Sequence, residues 1–190
     1  VHAGAQVGET SVSAGASRFG TDGFSSVNVQ QHPTANPDAD AYDNTSVNLS
    51  LARRLVPSHQ VGVRLSRSRG DTDYDNAYGT ASDLQTSTTR LSQFSLFSDT
   101  TWGDWRSRVT LSEQSDRSRT EDNGFFGSID SFRTRATVLS WVNNLVLGSQ
   151  WLATAGLERQ SQRADTTTTS TFGSPYDVSR HTTALFGGVE

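Results

Sequence analysis

At 190 residues, with 33% hydrophobic residues and a mean hydropathy of −0.55, the chain is long enough for one sizeable domain but too polar for a conventional core of that size. Four tryptophans, nine phenylalanines and four tyrosines argue against simple disorder, and a formal charge of −4 with no basic stripe leaves nucleic-acid binding little support. No run approaches the roughly 20 apolar residues of a membrane-spanning helix, no signal peptide opens the chain, and the lack of cysteine removes disulfide scaffolds and thiolate metal sites. All sixteen basic residues are arginine, and fifteen of the twenty acids are aspartate. Methionine is absent as well, which leads us to expect a chain processed or excised from something longer.

Helical periodicity is hard to find, whereas period-two alternation recurs along the chain. Val47, Leu49 and Leu51 alternate with Asn48 and Ser50; Val61, Val63 and Leu65 alternate with Gly62 and Arg64. Trp105, Val109 and Leu111 share one parity against Arg106, Arg108 and Thr110, and Phe132, Ala136 and Val138 stand against Arg133, Arg135 and Thr137. Such segments form strands with one apolar face, an economical way for a polar chain to hide apolar surface. The pattern predicts strands over about 8–19, 44–56, 60–70, 88–98, 105–117, 131–147, 151–164 and 178–190. In the fourth of these, Phe94 and Leu96 fall out of parity with Leu91 and Phe97, so a bulge is expected there.

The connections alternate in length. VPSHQ (56–60), SDTTWGDW (98–105) and LGSQW (147–151) read as tight turns, while 20–43, 71–87, 118–130 and 165–177 are long and polar. In an antiparallel meander every second connection lies at the same end, so one end carries turns and the other loops. That asymmetry is the signature of an outer-membrane barrel, with Trp102, Trp105 and Trp151 near the turns as an interfacial girdle. The expected fold is therefore all-β, an antiparallel up-and-down meander of about eight strands, with residues 1–190 forming a partial transmembrane β-barrel. The alternatives are a self-contained eight-stranded outer-membrane adhesion or scaffold protein and a soluble calcium-binding β-sandwich.

Most aspartates fall in the long connections: Asp22, Asp38, Asp40 and Asp43 in the first, Asp71, Asp73, Asp75 and Asp83 in the second. Carboxylates this close repel, and water or a hard cation must compensate them. Calcium accepts six to eight oxygen ligands with tolerant geometry, and neighbouring loops could converge on one ion; solvated loop aspartates are the plainer explanation. An EF-hand is excluded, because counting from Asp71 puts Asn76 where glycine is needed and Ser82 where glutamate is needed. His2, His32, His59 and His181 lack metal-site spacing, and no nucleophile elbow or phosphate loop occurs, so no enzyme activity is expected. GFFGS (124–128) reads as a loop tip, RGD (69–71) as a strand end entering an acidic loop, and TTTTST (166–171) as a polar loop.

The segments SVSAGASRFGTDGF (11–24), PDADAYDNTSVNLSL (37–51), RSRGDTDYDN (67–76), WRSRVTLS (105–112) and VLSWVNNLVLGSQWLATAGLERQ (138–160) together resemble the TonB-dependent outer-membrane transporters, in particular those that import cobalamin. The resemblance implies the first part of a 22-stranded barrel around a plug, embedded in outer-membrane lipid and importing a corrinoid with energy passed from the inner membrane. It also implies calcium in the early extracellular loops, with Asp38, Asp40 and Asp43 as first-loop ligands, Tyr74 and Asp75 as a pair in the next, Asp83 near the returning strand and Asp22 as a looser match. The chain departs from that family in lacking the energy-coupling box, the plug and a terminal aromatic residue, ending instead in LFGGVE. Contact with TonB is thus expected only through a plug outside residues 1–190.

Overall fold

The computed structural model describes residues 1–125 and 127–190. Among the described residues, nine strands form one antiparallel sheet in chain order: β1 (His2–Val7), β2 (Thr10–Thr21), β3 (Tyr42–Val56), β4 (His59–Tyr74), β5 (Gln85–Trp102), β6 (Trp105–Asp122), β7 (Ile129–Leu147), β8 (Trp151–Thr168) and β9 (Asp177–Val189). Each strand pairs with the next, and β1 and β9 keep free outer edges. This is the meander expected from the alternation, with one strand more. The predicted strand 8–19 starts in fact at a tight turn, where Gly8 takes φ 57° and Val7 faces Thr10. The small residues of HAGAQV gave β1 too weak an alternation to register as a strand.

No bulge interrupts β5, whose register with β4 and β6 is continuous. Parity fails there because Phe97 faces Gly62 and Leu91 faces Ser68, on the polar side of the sheet. Gly62 makes room for the Phe97 ring, since a Cβ at that position would lie 2.4 Å from it, and the Arg64 guanidinium sits 4.7 Å from the ring centroid. The register shift occurs instead in β3, between Arg54 and Val56.

Tight turns at 8–9, 57–58, 103–104 and 148–150 share one end, and the connections 22–41, 75–84, 123–128 and 169–176 share the other. Several strands run further toward the loop end than expected. RGD lies inside β4, and Thr166 to Thr168 of the threonine run belong to β8. Serine, threonine and arginine sustain the backbone ladder with neither face buried, so hydrophobic alternation could not reveal these extensions. Of GFFGS, Phe126 lies outside the described residues; the rest falls in the 123–128 connection.

The sheet has almost no core. Among the described residues, the buried apolar side chains are Ala35 and Ala52. Cross-strand registers instead gather Leu51 with Val63, Leu49 with Leu65 and Phe94, Leu96 with Leu111, and Val109 with Trp141 on one uncovered face. Leu49, Leu65, Leu96, Leu111 and Leu139 remain 42–44% exposed. Moving the exposed half of each leucine out of water gains about 1 kcal/mol, so the face calls for an apolar covering. The indole N–H of Trp141 on this face is satisfied by Ser107 Oγ at 2.9 Å. Trp102 and Trp105 pack at 5.6 Å beside the turn 103–104, at the base of the apolar band. The opposite face is mainly serine, asparagine and glutamine, but it also carries Leu91 and Phe97 of β5 and Phe132, Ala136 and Val138 of β7, so the predicted apolar side of 132–138 is the polar side of the sheet and Leu139 and Trp141 supply the apolar one. An ion cluster lies there too, in which Arg106 meets Asp99 at 2.6 Å and Arg108 joins the same carboxylate.

Candidate functional site

The loop end is built by docking between connections that are distant in sequence. Asn36, 7% exposed, donates from Nδ2 to the Asp83 carbonyl at 3.0 Å, tying 22–41 to 75–84. Its Oδ1 accepts from the Asp38 N–H at 3.2 Å. Ser25 Oγ donates to Asp75 Oδ2 at 2.7 Å, and the Asp75 N–H donates to Ser26 Oγ at 3.3 Å. The 75–84 connection is joined to the next by Leu84 N–H donating to Asn123 Oδ1 at 2.6 Å. Gly23, with φ 65°, turns the chain so tightly that a Cβ would stand 1.9 Å from the Asp40 carbonyl oxygen. Gln85 is 2% exposed, donating to Asp122 Oδ1 at 3.2 Å, while its Oε1 has no partner among the described residues.

The docking gathers part of the predicted aspartate set. One carboxylate oxygen from each of Asp38, Asp40 and Asp75 lies within 4.8 Å of the others. Burial pushes the Asp75 carboxyl above its ordinary 3.8, the charges of Asp40 and Asp38 push the same way, and the Ser25 hydrogen bond opposes them. Asp43 is in β3 and pairs with Arg18 at 3.2 Å. Tyr74 ends β4 opposite Gln85. Asp83 accepts from the Thr80 N–H at 3.0 Å and the Thr80 hydroxyl at 2.5 Å; these bonds lower its pKa. Its carboxylate lies where a Cβ on Gly79 or Gly124 would meet it. Asp22 follows β2 and is exposed, with no side-chain partner among the described residues. The three converging carboxylates, with the Ser25 and Ser26 hydroxyls alongside, are a hard oxygen set of the kind calcium takes, and unlike the nitrogen and sulfur set of zinc.

Sequence reasoning missed Ser25, Ser26 and Asn36, because polar loop residues carry no periodic signal and their partners lie tens of residues away. It also missed a pattern of aromatics. Among the described residues, each of the four connections at this end exposes at least one aromatic ring: Phe24 at 83%, Tyr78 at 89%, Phe125 at 92%, and Phe172 at 84% with Tyr176 at 46%. His32 meets Tyr78 edge-on at 5.5 Å, a further link between the first two loops. Exposed rings on loops that hydrogen-bond to one another form a surface that can close on a large, partly apolar ligand.

No protein-family model matches the sequence, and comparison with curated proteins gives no match. Solved structures do match in fold. The ferric yersiniabactin uptake receptor FyuA from Yersinia pestis superposes at a TM-score of 0.59 with 9% identity, over 95% of this chain and 31% of the receptor. The siderophore receptor PiuA from Acinetobacter baumannii superposes at 0.56 with 10% identity, over 95% and 37%. The chain thus spans about a third of the length of those receptors. The fold is all-β and antiparallel, one open up-and-down sheet corresponding to part of an outer-membrane barrel.

Proposed function

We propose that the chain is the barrel segment of a TonB-dependent receptor of the bacterial outer membrane, which captures a bulky ligand with its loops and imports it rather than transforming it chemically. The observation that carries this reading is the segregation of the molecule: an uncovered apolar band, tight turns at one end, and at the other four loops each offering an exposed aromatic ring. The likeness in fold to an uptake receptor and a siderophore receptor supports it. Phe24, Tyr78, Phe125 and Phe172 would contact the ligand, and the polar face would line its path. Energy coupling to TonB would act through a plug inside the barrel.

The proposed cargo is cobalamin or a related corrinoid, on the strength of the aspartate loops. Calcium bound there would neutralise Asp38, Asp40 and Asp75 and favour the docked loops. Ser25, Ser26 and Asn36 hold the two loops in register for that closure. A ferric siderophore is the second reading, favoured by the ligands for which both structural neighbours are named.

Equilibrium binding of cyanocobalamin and of a ferric siderophore to the detergent-solubilised protein, with calcium or with chelator, tests these readings. Saturable binding of one ligand is expected, weakened about tenfold when Phe24, Tyr78, Phe125 and Phe172 are changed to alanine together. Absence of saturable binding of either ligand would overturn the capture role. Binding unaffected by chelator would remove calcium.

A further inference from the structure

The arginines are scattered in sequence, but the strand register brings them into line. Arg69 in β4 lies directly opposite Arg90 in β5, Arg90 opposite Arg117 in β6, and Arg117 opposite Arg133 in β7. One step toward the tight turns, Arg135 stands opposite Arg163. Like charges directly across a ladder are destabilising, so this sheet maintains an unfavourable arrangement over four consecutive strands. Nearby carboxylates compensate it only in part. Arg69 pairs with Asp71 at 2.8 Å, Arg119 with Glu121 at 2.6 Å, Arg135 with Glu113 at 3.6 Å, and Arg163 with Asp177. Arg90, Arg117 and Arg133, the centre of the row, form no ion pair among the described residues; the charge of Asp71 reaches Arg90 and the register sets Asp165 opposite Arg133, whereas Arg117 has an arginine across each ladder. The side chains leave a depression of about 320 Å³ lined by Arg69, Thr88, Arg90, Arg117, Arg119 and Glu121.

The row shares its face with the apolar band and lies just beyond it toward the loops. Leu65 is followed on that face of β4 by Arg67 and Arg69, and Phe94 is two steps from Arg90 in β5. From Trp105 at the base of the band to Arg117, β6 rises on the order of 40 Å, or about 28 Å along the membrane normal at a tilt of about 45°. That matches the height of an apolar band of roughly 25 Å and puts the guanidinium groups at the headgroups of the outer leaflet. The basic residues here are arginine throughout, whose planar fork binds phosphate oxygens two at a time.

We propose that the loopward half of the apolar face docks a membrane lipid through its anionic, phosphorylated headgroup, held by the cross-strand row Arg69, Arg90, Arg117 and Arg133 above a band that seats its acyl chains. The phosphates supply the countercharge that Arg117 lacks and that Arg90 and Arg133 have only at a distance, and the chains cover the leucines beneath. This inference rests on the outer-membrane reading above, because it needs that face to meet lipid.

The test uses the detergent-solubilised protein and phosphatidylcholine vesicles with or without a minor fraction of lipid A, in its bisphosphorylated or its dephosphorylated form. Failure to insert into any vesicle would overturn the outer-membrane reading and this inference with it. Insertion with equal affinity for the phosphorylated and dephosphorylated lipids would overturn the inference alone. The expected result is preferential retention of the bisphosphorylated form by about tenfold or more, declining with salt and unaffected when inorganic phosphate replaces chloride at constant ionic strength. Competition by inorganic phosphate would mean an ion site and not a lipid site. Replacing Arg90, Arg117 and Arg133 together by glutamine should abolish the preference, while Arg53→Gln near the turn end should leave it intact. Without lipid the triple variant should melt no lower than the parent, since opposed charges are removed; a lower melting temperature with the lipid preference kept would show a structural role instead. If that variant fails to fold, the comparison of the two lipid forms on the unaltered protein still decides.

Discussion

The two ends of the sheet are built by different means. At the turn end, Gly8, Gly103 and Gly148 take φ of 57°, 53° and 66°, and a Cβ at any of them would meet nothing within 4 Å. Each turn is set by its own few residues. At the loop end, conformation comes from contacts between segments far apart in sequence: Asn36 with Asp83, Ser25 with Asp75, Leu84 with Asn123. The turn end can therefore form as each hairpin closes, whereas the loop end is completed only when the strands are in register. A surface assembled last and held by a few polar contacts is suited to opening and closing over a ligand.

Substitutions should separate the two ends. The largest effect is expected from Gly23→Ala, where a left-handed φ is combined with a Cβ 1.9 Å from the Asp40 oxygen. Docking of the first loop should weaken by about 3 kcal/mol, read as lost amide protection over 23–41 with the strands still protected. Asn36→Ala comes next, at about 1–3 kcal/mol, because it removes a buried bridge and leaves the Asp83 carbonyl without its donor; the exchange of both loops should rise together. Gly103→Ala should cost only about 1 kcal/mol, since the backbone conformation is strained but the space is open. A small fall in thermal midpoint with unchanged loop protection is the outcome to look for.

The smallest effect expected is that of pH on the docked loops. The raised pKa of Asp75 means that the folded loops bind its proton more tightly than the unfolded chain. Its cost is thus fully present above the folded pKa and is relieved as pH falls toward 3.8. Asp83 has the opposite sign: its contribution is present above 3.8 and is lost as pH falls through its lowered folded value. Amide protection near residues 25 and 75, corrected for intrinsic exchange, should first rise on acidification and then fall. A monotonic decline from neutrality would contradict the assignment of Asp75.

The strands were legible where one face is apolar, as at Val47 to Leu51 or Val61 to Leu65, because the period-two alternation of side chains writes that face directly into the sequence. Beyond the band both faces are polar, so the loopward extensions of β4 and β8 left no trace in hydropathy. Phe97 broke the pattern for a reason visible only across the sheet, since its ring occupies the space left by Gly62. Asp38, Asp40 and Asp75 were readable as an acidic group, but the serines that join the loops were not. The arginine row is the clearest case of information held in register: a sequence without a basic stripe folds into a sheet that has one.

The chain contains no cysteine, so a single introduced thiol reports its own position. Ser82→Cys in the 75–84 loop and Ser58→Cys in the opposite turn should therefore be compared in intact cells treated with a membrane-impermeant maleimide. Labelling at 82 but not at 58, with 58 becoming reactive once the membrane is opened, is the result expected for strands that cross a bilayer. Equal labelling of the two in intact cells would contradict it.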